Sequence, residues 1–295
     1  MLVTIENLKV QYGKQTALSI TEPIVIEEGD RIGVIGSNGA GKSTLVKSIL
    51  GLTSYEGVIS THLIPEQMAA HMQFNEYVST MAVKHIMETL LNTKIKNNQK
   101  LQELISYFEF EGCLGKKYQA LSGGQKQRFT IIMVMMQNAP LTFYDEVTSG
   151  LDFETRQKLM EKLVDWYKGK DNALVVVSHY YEELEQLADK ILILEKGEVV
   201  DFCTQKDLFQ KYCGNAIVIL DNTIENRELT KEFKRLDAPN HLIAISCTDG
   251  KEEEKLISLL IEKNVNFKRS NNDIEIMSIN AKKRFQEEKG GMTNE

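Results

Sequence analysis

The chain has 295 residues, of which 42% are hydrophobic, so it is long enough to form about two domains with buried cores. Lys and Arg total 35 against 42 Asp and Glu, and the resulting formal charge of −7 argues against a nucleic-acid-binding protein. The four cysteines include no Cys-x-x-Cys pair, which indicates neither a disulfide framework nor a thiolate metal site and favours a reducing compartment.

The N-terminal segment predicts a small β-rich lobe. Apolar and polar positions alternate in short bursts between turn residues, at residues 2–5, 24–26 and 31–35. The start of the chain lacks the basic and apolar regions of a secretion signal, so we expect none. The longest apolar stretch, residues 129–136, is far below the ~18 residues that span a bilayer, so we expect any membrane role to be peripheral.

Residues 36–44 have the spacing of a phosphate-binding loop between a strand and a helix. They read Gly-Ser-Asn-Gly-Ala-Gly-Lys-Ser-Thr. The backbone N–H groups of such a loop point at phosphate oxygens, while Lys42 adds a cation and Ser43 can ligate magnesium. The sequence therefore predicts nucleotide binding by Gly36, Ser37, Asn38, Gly39, Ala40, Gly41, Lys42, Ser43 and Thr44.

A helical insert is predicted at about residues 68–120, where Glu, Lys, Met and Leu recur at helical spacing. Directly after it, residues 121–125 read Leu-Ser-Gly-Gly-Gln and precede a long helix that runs to Asn138. Taken alone, Ser122 fits a plain helix cap as well as a functional motif, because Ser is a good N-cap.

Buried-strand signals then alternate with helical segments, which predicts a mostly parallel sheet with helices on both faces. The strands are expected at residues 141–144, 173–177 and 190–194, and the helices at 153–166 and 180–188. Asp145 and Glu146 follow the first of these strands, at the edge where parallel α/β sheets bind ligands. Asp145 suits the second magnesium shell and Glu146 suits polarisation of an attacking water; the alternative is an exposed acidic strand end without function.

After about residue 213 the pattern predicts a small α+β domain with a frayed tail. Strands are expected at residues 216–220, 241–247 and 265–278, and helices at 227–236, 252–263 and 281–288.

The order of these motifs resembles that of the ATP-binding-cassette (ABC) ATPases over residues 1 to about 205: phosphate loop, helical insert, Leu-Ser-Gly-Gly-Gln, helix, Asp-Glu. The resemblance implies an α/β fold with a P-loop ATPase core and its parallel sheet, an N-terminal antiparallel β lobe and the helical insert. The nucleotide-binding domain is then expected at residues 1–213, with the α+β domain at 214–295. ATP and Mg²⁺ are the implied cofactors.

The same resemblance implies roles for single residues. Tyr12 is similar to the aromatic residue that stacks on adenine, and His179 to the switch histidine that reaches the γ-phosphate. Residues 149–152 resemble the segment of the family called the D-loop. The implied catalytic residues are Glu146, His179 and Lys42.

The implied magnesium ligands are Ser43, Asp145 and a residue of the Q-loop. For the last, the sequence offers Glu66 and Gln67 after Pro65, and we favour Gln67. Two departures stand out. Val147 replaces the usual proline after Asp-Glu, and the short interval before Gln67 leads us to expect that part of the β hairpin after residue 57 is missing.

In the family, two nucleotide-binding domains pack head to tail, so that ATP on one phosphate loop meets Ser122, Gly123, Gly124 and Gln125 of the partner. The resemblance therefore implies a second nucleotide-binding subunit, in a homodimer or heterodimer. It also implies a separate integral membrane permease and a peripheral position on the cytoplasmic face of the cell membrane. The C-terminal domain resembles those of ABC-2-type exporters, which leads us to expect export of peptides or drugs.

An apolar set after Gln67 offers a surface for a coupling helix of the permease, or else is the core of the insert itself. Its members are Met68, Met72, Phe74, Tyr77 and Met81. Two other functions stay open. The first is a soluble ABC ATPase that acts on ribosomes or DNA, which the acidic charge and the single phosphate loop disfavour; we expect no nucleic-acid partner. The second is a regulatory module without turnover, against which the intact catalytic residues argue.

Overall fold

The computed structural model describes residues 1–72 and 77–292. The predicted contact residue Phe74 lies outside them. The strands are β1 (Val3–Tyr12), β2 (Gln15–Ile20), β3 (Ile24–Ile26), β4 (Arg31–Gly36), β5 (Glu56–Thr61), β6 (Met68–His71), β7 (Leu141–Asp145), β8 (Ala173–Val177), β9 (Lys190–Glu195), β10 (Glu198–Thr204), β11 (Ala216–Asp221), β12 (Arg235–Leu236), β13 (Leu242–Cys247) and β14 (Phe267–Ser270). The helices are α1 (Lys42–Ile49), α2 (Val83–Leu90), α3 (Gln99–Tyr107), α4 (Gly123–Gln137), α5 (Phe153–Tyr167), α6 (Tyr181–Leu187), α7 (Gln205–Cys213), α8 (Ile224–Leu229), α9 (Gly250–Glu262) and α10 (Ile274–Met292).

The chain forms two compact units. The first unit contains Met1–Leu8, Glu22–Arg31 and Ser43–His179, and the second contains Lys9–Thr21, Ile32–Lys42 and Tyr180–Glu295. The predicted domain boundary between residues 213 and 214 stays a prediction. Among the described residues, no helix has both the length and the apolar composition needed to cross a membrane.

The first unit contains three adjacent parallel strands, β6, β7 and β8. Leu141 pairs with Met68 on one side and with Ala173 on the other, and Asp145 pairs with Val177. Every residue of β7 and β8 is buried, as expected for parallel strands that are covered on both faces. In the same unit β1 pairs antiparallel with β3, which confirms the predicted antiparallel lobe.

The prediction of a helical insert is wrong at its start, because residues 68–71 form the strand β6. In four residues of which only one is polar, the hydrophobic pattern is too short to distinguish a buried strand from the start of a helix. The helical part of the insert is α2 and α3, which are joined by one 3-10 turn (Ile95–Asn97) and followed by two more (Glu111–Cys113 and Tyr118–Ala120).

Tyr77 belongs to the core of the insert. Its ring packs edge-on against Phe129, with ring centroids 4.8 Å apart, and against Tyr118 at 5.2 Å. Burial raises the pKa of its hydroxyl. Of the two interpretations of the apolar set, the contacts of Tyr77 support the core, so a polar substitution there would destabilise the insert.

In the second unit, β4 runs parallel to β9, and β9 pairs antiparallel with β10. Glu198 at the start of β10 bridges to Ser19 of β2. The sequence interpretation missed β10 and α7. In β10, polar and apolar residues are mixed, and all are half-buried, so the strand shows no alternation.

A separate four-stranded antiparallel sheet lies near the C-terminus, in the order β12-β13-β11-β14. With α8 and α9 its chain order is β-α-β-β-α-β, and its core includes Val218, Ile245, Leu256 and Leu260. Two predicted elements are wrong in part. The helix expected at 227–236 is α8 followed by β12, and the strand expected at 265–278 ends at Ser270, after which α10 begins.

Candidate nucleotide site

The phosphate loop follows β4 and ends at α1. In the second unit the ammonium nitrogen Nζ of Lys42 donates to the carbonyl oxygens of Gly36, at 2.8 Å, and Ser37, at 3.1 Å. Lys42 is only 6% exposed, whereas residues 37–39 are exposed. The loop therefore curls around the lysine ammonium and keeps its own tip open to solvent.

Two glycines of the loop cannot carry a side chain. A Cβ on Gly36 would lie 2.5 Å from the carbonyl oxygen of Leu194, and a Cβ on Gly41 would lie 2.8 Å from that of Ala17. Gly41 also has a φ of +98°, which L side chains rarely adopt. These contacts explain why the strand-to-helix turn needs glycine at both positions.

Tyr12 lies at the end of β1, before the turn into β2. Its side chain is 52% exposed, and Gly13 supports the turn with a φ of +62°. The next strand carries Ala17, whose carbonyl oxygen packs under Gly41. The second unit thus contains residues 36–42 of the phosphate loop and the hairpin that presents Tyr12.

In the first unit, Glu146 and His179 are brought together. The ring nitrogen Nε2 of His179 lies 3.0 Å from Oε1 of Glu146. The two residues follow β7 and β8, and the backbone N–H of Glu146 donates to the carbonyl of Val177 at 2.9 Å. Neighbouring parallel strands therefore deliver a carboxylate and an imidazole to one edge.

The backbone of Glu146 adopts φ +53°, which is uncommon for a residue with a side chain. Such conformations cluster at functional sites, where the surrounding structure holds them. Here the ladder to β8 holds the position, and the following residues Val147 and Thr148 are each 1% exposed. The valine that replaces the usual proline is thus accommodated in the core.

Asp145 precedes Glu146 and is 1% exposed at the end of β7. Beside it, burial raises the pKa of Tyr144 well above its ordinary value. Burial also lowers the pKa of His71, which pairs with Tyr144 in the β6–β7 ladder, to about 4. Tyr144 and His71 are therefore both neutral at pH 7.

The Leu-Ser-Gly-Gly-Gln segment caps α4. The Oγ of Ser122 accepts from the backbone N–H of Gln125 at 3.3 Å, and Oε1 of Gln125 accepts from the backbone N–H of Ser122 at 3.1 Å. This is a reciprocal capping box, so these side chains cap the helix, and the functional role of the segment stays a prediction. Ser122 and Gly123 are exposed, and the N-terminus of the 15-residue helix faces solvent there.

The segment 149–152 lies next to this cap. The side-chain Nε2 of Gln127 donates to the carbonyl oxygen of Ser149 at 2.7 Å, and a Cβ on Gly124 would lie 3.2 Å from Leu151. Asp152 caps α5, and its hydrogen bonds from the backbone N–H and the hydroxyl of Thr155 lower the pKa of its carboxyl. Sequence reasoning missed Gln127, because a glutamine on a helix carries no signal of its own.

The structure does not place Gln67 at the strand end where Asp145 lies. Gln67 precedes β6, and β6 and β7 are parallel, so Gln67 lies at the opposite end of this strand pair from Asp145. Its Oε1 accepts from the backbone N–H of Ile64 at 3.1 Å. The prediction that Gln67, or its neighbour Glu66, contacts the magnesium ion is therefore wrong. The amide residue that follows β6 along the chain is Gln73, which lies outside the described residues.

Ser43 and Asp145 fit a magnesium ion by the chemistry of their oxygen atoms. Mg²⁺ prefers hard oxygen ligands and binds through few protein groups together with phosphates and waters. Ser43 is the second residue of α1, and Asp145 ends a buried strand with its carboxylate shielded from solvent.

Residues 24–149 match the family model described as ABC transporter. Two methionine import ATP-binding proteins, from Bartonella henselae and Corynebacterium glutamicum, are 33% and 32% identical over 62% and 76% of this chain, and the chain spans 59% and 69% of their lengths. The linearmycin resistance ATP-binding protein LnrL of Bacillus subtilis is 26% identical over 87% of this chain and 88% of its own length.

Solved structures share the fold. The ATP-binding cassette MJ0796, in a dimeric post-hydrolysis state bound to ADP and Pi, superposes with a TM-score of 0.62 at 23% identity. The match covers 69% of this chain and 98% of that cassette. The predicted α/β cassette fold is confirmed. The chain belongs to the ABC transporter family, as one of its ATP-binding ATPase proteins.

Proposed function

We propose that this protein hydrolyses Mg²⁺-ATP in pairs, with the phosphate loop of one copy facing the Leu-Ser-Gly-Gly-Gln segment of the other, and that the closing of the pair drives a separate membrane permease. The observation that carries the proposal is the Glu146–His179 pair, held at 3.0 Å by adjacent parallel strands.

Lys42 and the loop residues 36–44 bind the phosphates. Lys42 now donates to two loop carbonyls, and β- and γ-phosphate oxygens would replace these neutral acceptors with charged ones. The N-terminus of α1 adds backbone N–H groups and the positive end of the helix dipole. Tyr12 contributes an exposed aromatic face for adenine.

Ser43 and Asp145 would hold the magnesium ion, which neutralises charge on the phosphates when bound. Glu146 accepts a hydrogen bond from the attacking water and orients it. His179 fixes the carboxylate of Glu146 through its Nε2, and by the family resemblance it would donate to the γ-phosphate. These groups supply positioning and charge stabilisation, the main requirements of phosphoryl transfer.

Ser122, Gly123, Gly124 and Gln125 would cap the γ-phosphate of the partner copy. Backbone N–H groups at a helix N-terminus suit an anion, and a phosphate oxygen can take the place of the capping box. The dimeric state of MJ0796 with ADP and Pi supports such a pairing. Because this chain itself carries the phosphate loop, Glu146, His179 and the Leu-Ser-Gly-Gly-Gln segment, two identical copies would form two equal sites, so we infer a homodimer.

We propose that residues 1–213 form the nucleotide-binding domain and residues 214–295 an accessory α+β domain, on the cytoplasmic face of the membrane beside an integral permease. For the cargo we favour export of a drug or peptide. The match to the linearmycin resistance protein LnrL supports this, since it extends over 87% of the chain and 88% of that protein. Amino-acid import is the second candidate, favoured by the higher identity to the methionine import proteins.

The test is copurification of the tagged full chain from membranes of its source, after chemical crosslinking, with Glu146→Gln as the matched variant. We expect one polytopic membrane protein to be enriched, with the variant retaining more of it in ATP. A strain that lacks the gene should become more sensitive to drugs or toxic peptides if the protein powers export, and should grow poorly on limiting methionine if it powers import. Enrichment of ribosomal proteins in place of a membrane protein would overturn the transport function.

A further inference from the structure

Glu195, at the end of β9, contacts both the phosphate loop and the C-terminal helix. Its Oε2 accepts from the Oγ of Ser37 at 3.3 Å and lies 3.7 Å from Nζ of Lys282 in α10. The side chains of Glu195 and Lys282 are only 12% and 20% exposed, so water screens this ion pair less than a surface pair.

A second pair repeats the arrangement. Lys289, two helical turns after Lys282 and therefore on the same face of α10, pairs with Glu198 at the start of β10. Glu195 and Glu198 face each other across the two-residue turn of Lys196 and Gly197, both of which have positive φ. Helix α10 thus holds the β9–β10 turn at both of its flanks.

That turn packs against the phosphate loop. A Cβ on Gly197 would lie 2.9 Å from the carbonyl oxygen of Ala17, the same atom that lies 2.8 Å from the Cβ position of Gly41. The carbonyl of Gly197 also accepts from the backbone N–H of Ser19 at 2.6 Å. The turn and Gly41 therefore contact the same backbone atom of β2, so a shift of the turn would change the packing of Gly41.

We propose that Lys282 and Lys289 are positioning residues for ATP: they hold the β9–β10 turn under the phosphate loop, and Lys282 neutralises Glu195 beside the triphosphate. Without this cation, a poorly screened carboxylate bonded to Ser37 would repel the phosphates. The C-terminal helix thereby sets the affinity of the loop for nucleotide. This inference rests on the nucleotide site proposed above.

The test compares the affinity for ATP of full-length variants by titration calorimetry, together with KM and kcat. We expect Lys282→Met to raise the Kd and KM for ATP by about 3- to 10-fold, the size of a partly screened charge interaction, and to change kcat less than twofold. Lys282→Arg should keep the affinity of the wild type. Adding Glu195→Gln to Lys282→Met should restore it, because the repelling charge is then removed.

Lys283→Met is the matched control. Lys283 is the next residue of the same helix but pairs with Asp237 at 2.6 Å, so its loss should leave the affinity for ATP unchanged. A melting scan shows which variants are folded. The inference is overturned if folded Lys282→Met binds ATP like the wild type, or if Glu195→Gln gives no rescue. Failure of the wild type to bind ATP would instead overturn the proposed function.

Discussion

Glu146→Gln is expected to lower kcat for ATP hydrolysis by at least ~100-fold while the protein still binds ATP. The amide keeps the size and the polar contact to His179, which lies 3.0 Å away, but it cannot accept a proton or polarise the attacking water as a carboxylate does. Single-turnover assays of ATP hydrolysis, together with nucleotide titration, separate the chemical step from binding.

Glu154→Gln provides the control for this variant. Glu154 is an exposed carboxylate of the first turn of α5 that pairs with Lys158, so the same chemical change should leave turnover within about twofold. If Glu146→Gln hydrolysed ATP as fast as the wild type, Glu146 would not orient the attacking water. The Glu146–His179 pair would then not be needed for hydrolysis.

Lys42→Met is expected to weaken ATP binding by ~100-fold or more. Lys42 is 6% exposed, its ammonium would form charge-assisted hydrogen bonds with phosphate oxygens, and the loss of about 3 kcal/mol corresponds to that factor. Titration calorimetry with Mg²⁺-ATP measures the change directly, and kcat at saturating ATP reports any further effect on the chemical step.

Lys47→Met controls for loss of a positive charge on the same helix, because Lys47 is exposed in the last turn of α1 and should bind ATP as the wild type does. Equal affinity in Lys42→Met and Lys47→Met would contradict the assignment of residues 36–44 as the phosphate site. The melting temperatures of both variants must match for this comparison.

The local parts of the fold could be predicted from the sequence. The phosphate loop, β7, β8 and the acidic pair after β7 have signals in adjacent residues: a glycine spacing, continuous apolar runs and a change to charge. The pairing of Glu146 with His179 needed the register of two strands that are separated by α5. The sequence supplied the residues, and the parallel ladder brought them together.

The parts that sequence reasoning missed depend on contacts between distant segments. Strand β6 is short and begins directly after Gln67, and the sequence pattern did not reveal it. The predicted magnesium contact Gln67 therefore lies at the end of the strand opposite to Asp145. The predicted long strand at 265–278 merges β14 with the start of α10, because apolar residues such as Ile274 and Ile276 fit either period. Glu195 carries no motif, and only the folded chain shows it between Ser37 and Lys282.

Light scattering of Glu146→Gln, with and without Mg²⁺-ATP, shows directly whether two copies enclose ATP between the phosphate loop and the Leu-Ser-Gly-Gly-Gln segment. We expect a mass of 33.6 kDa without nucleotide and twice that mass with ATP, and we expect that adding Ser122→Arg returns the protein to the single-chain mass. A mass that stays at 33.6 kDa while calorimetry shows that ATP is bound would mean that ATP does not join two copies.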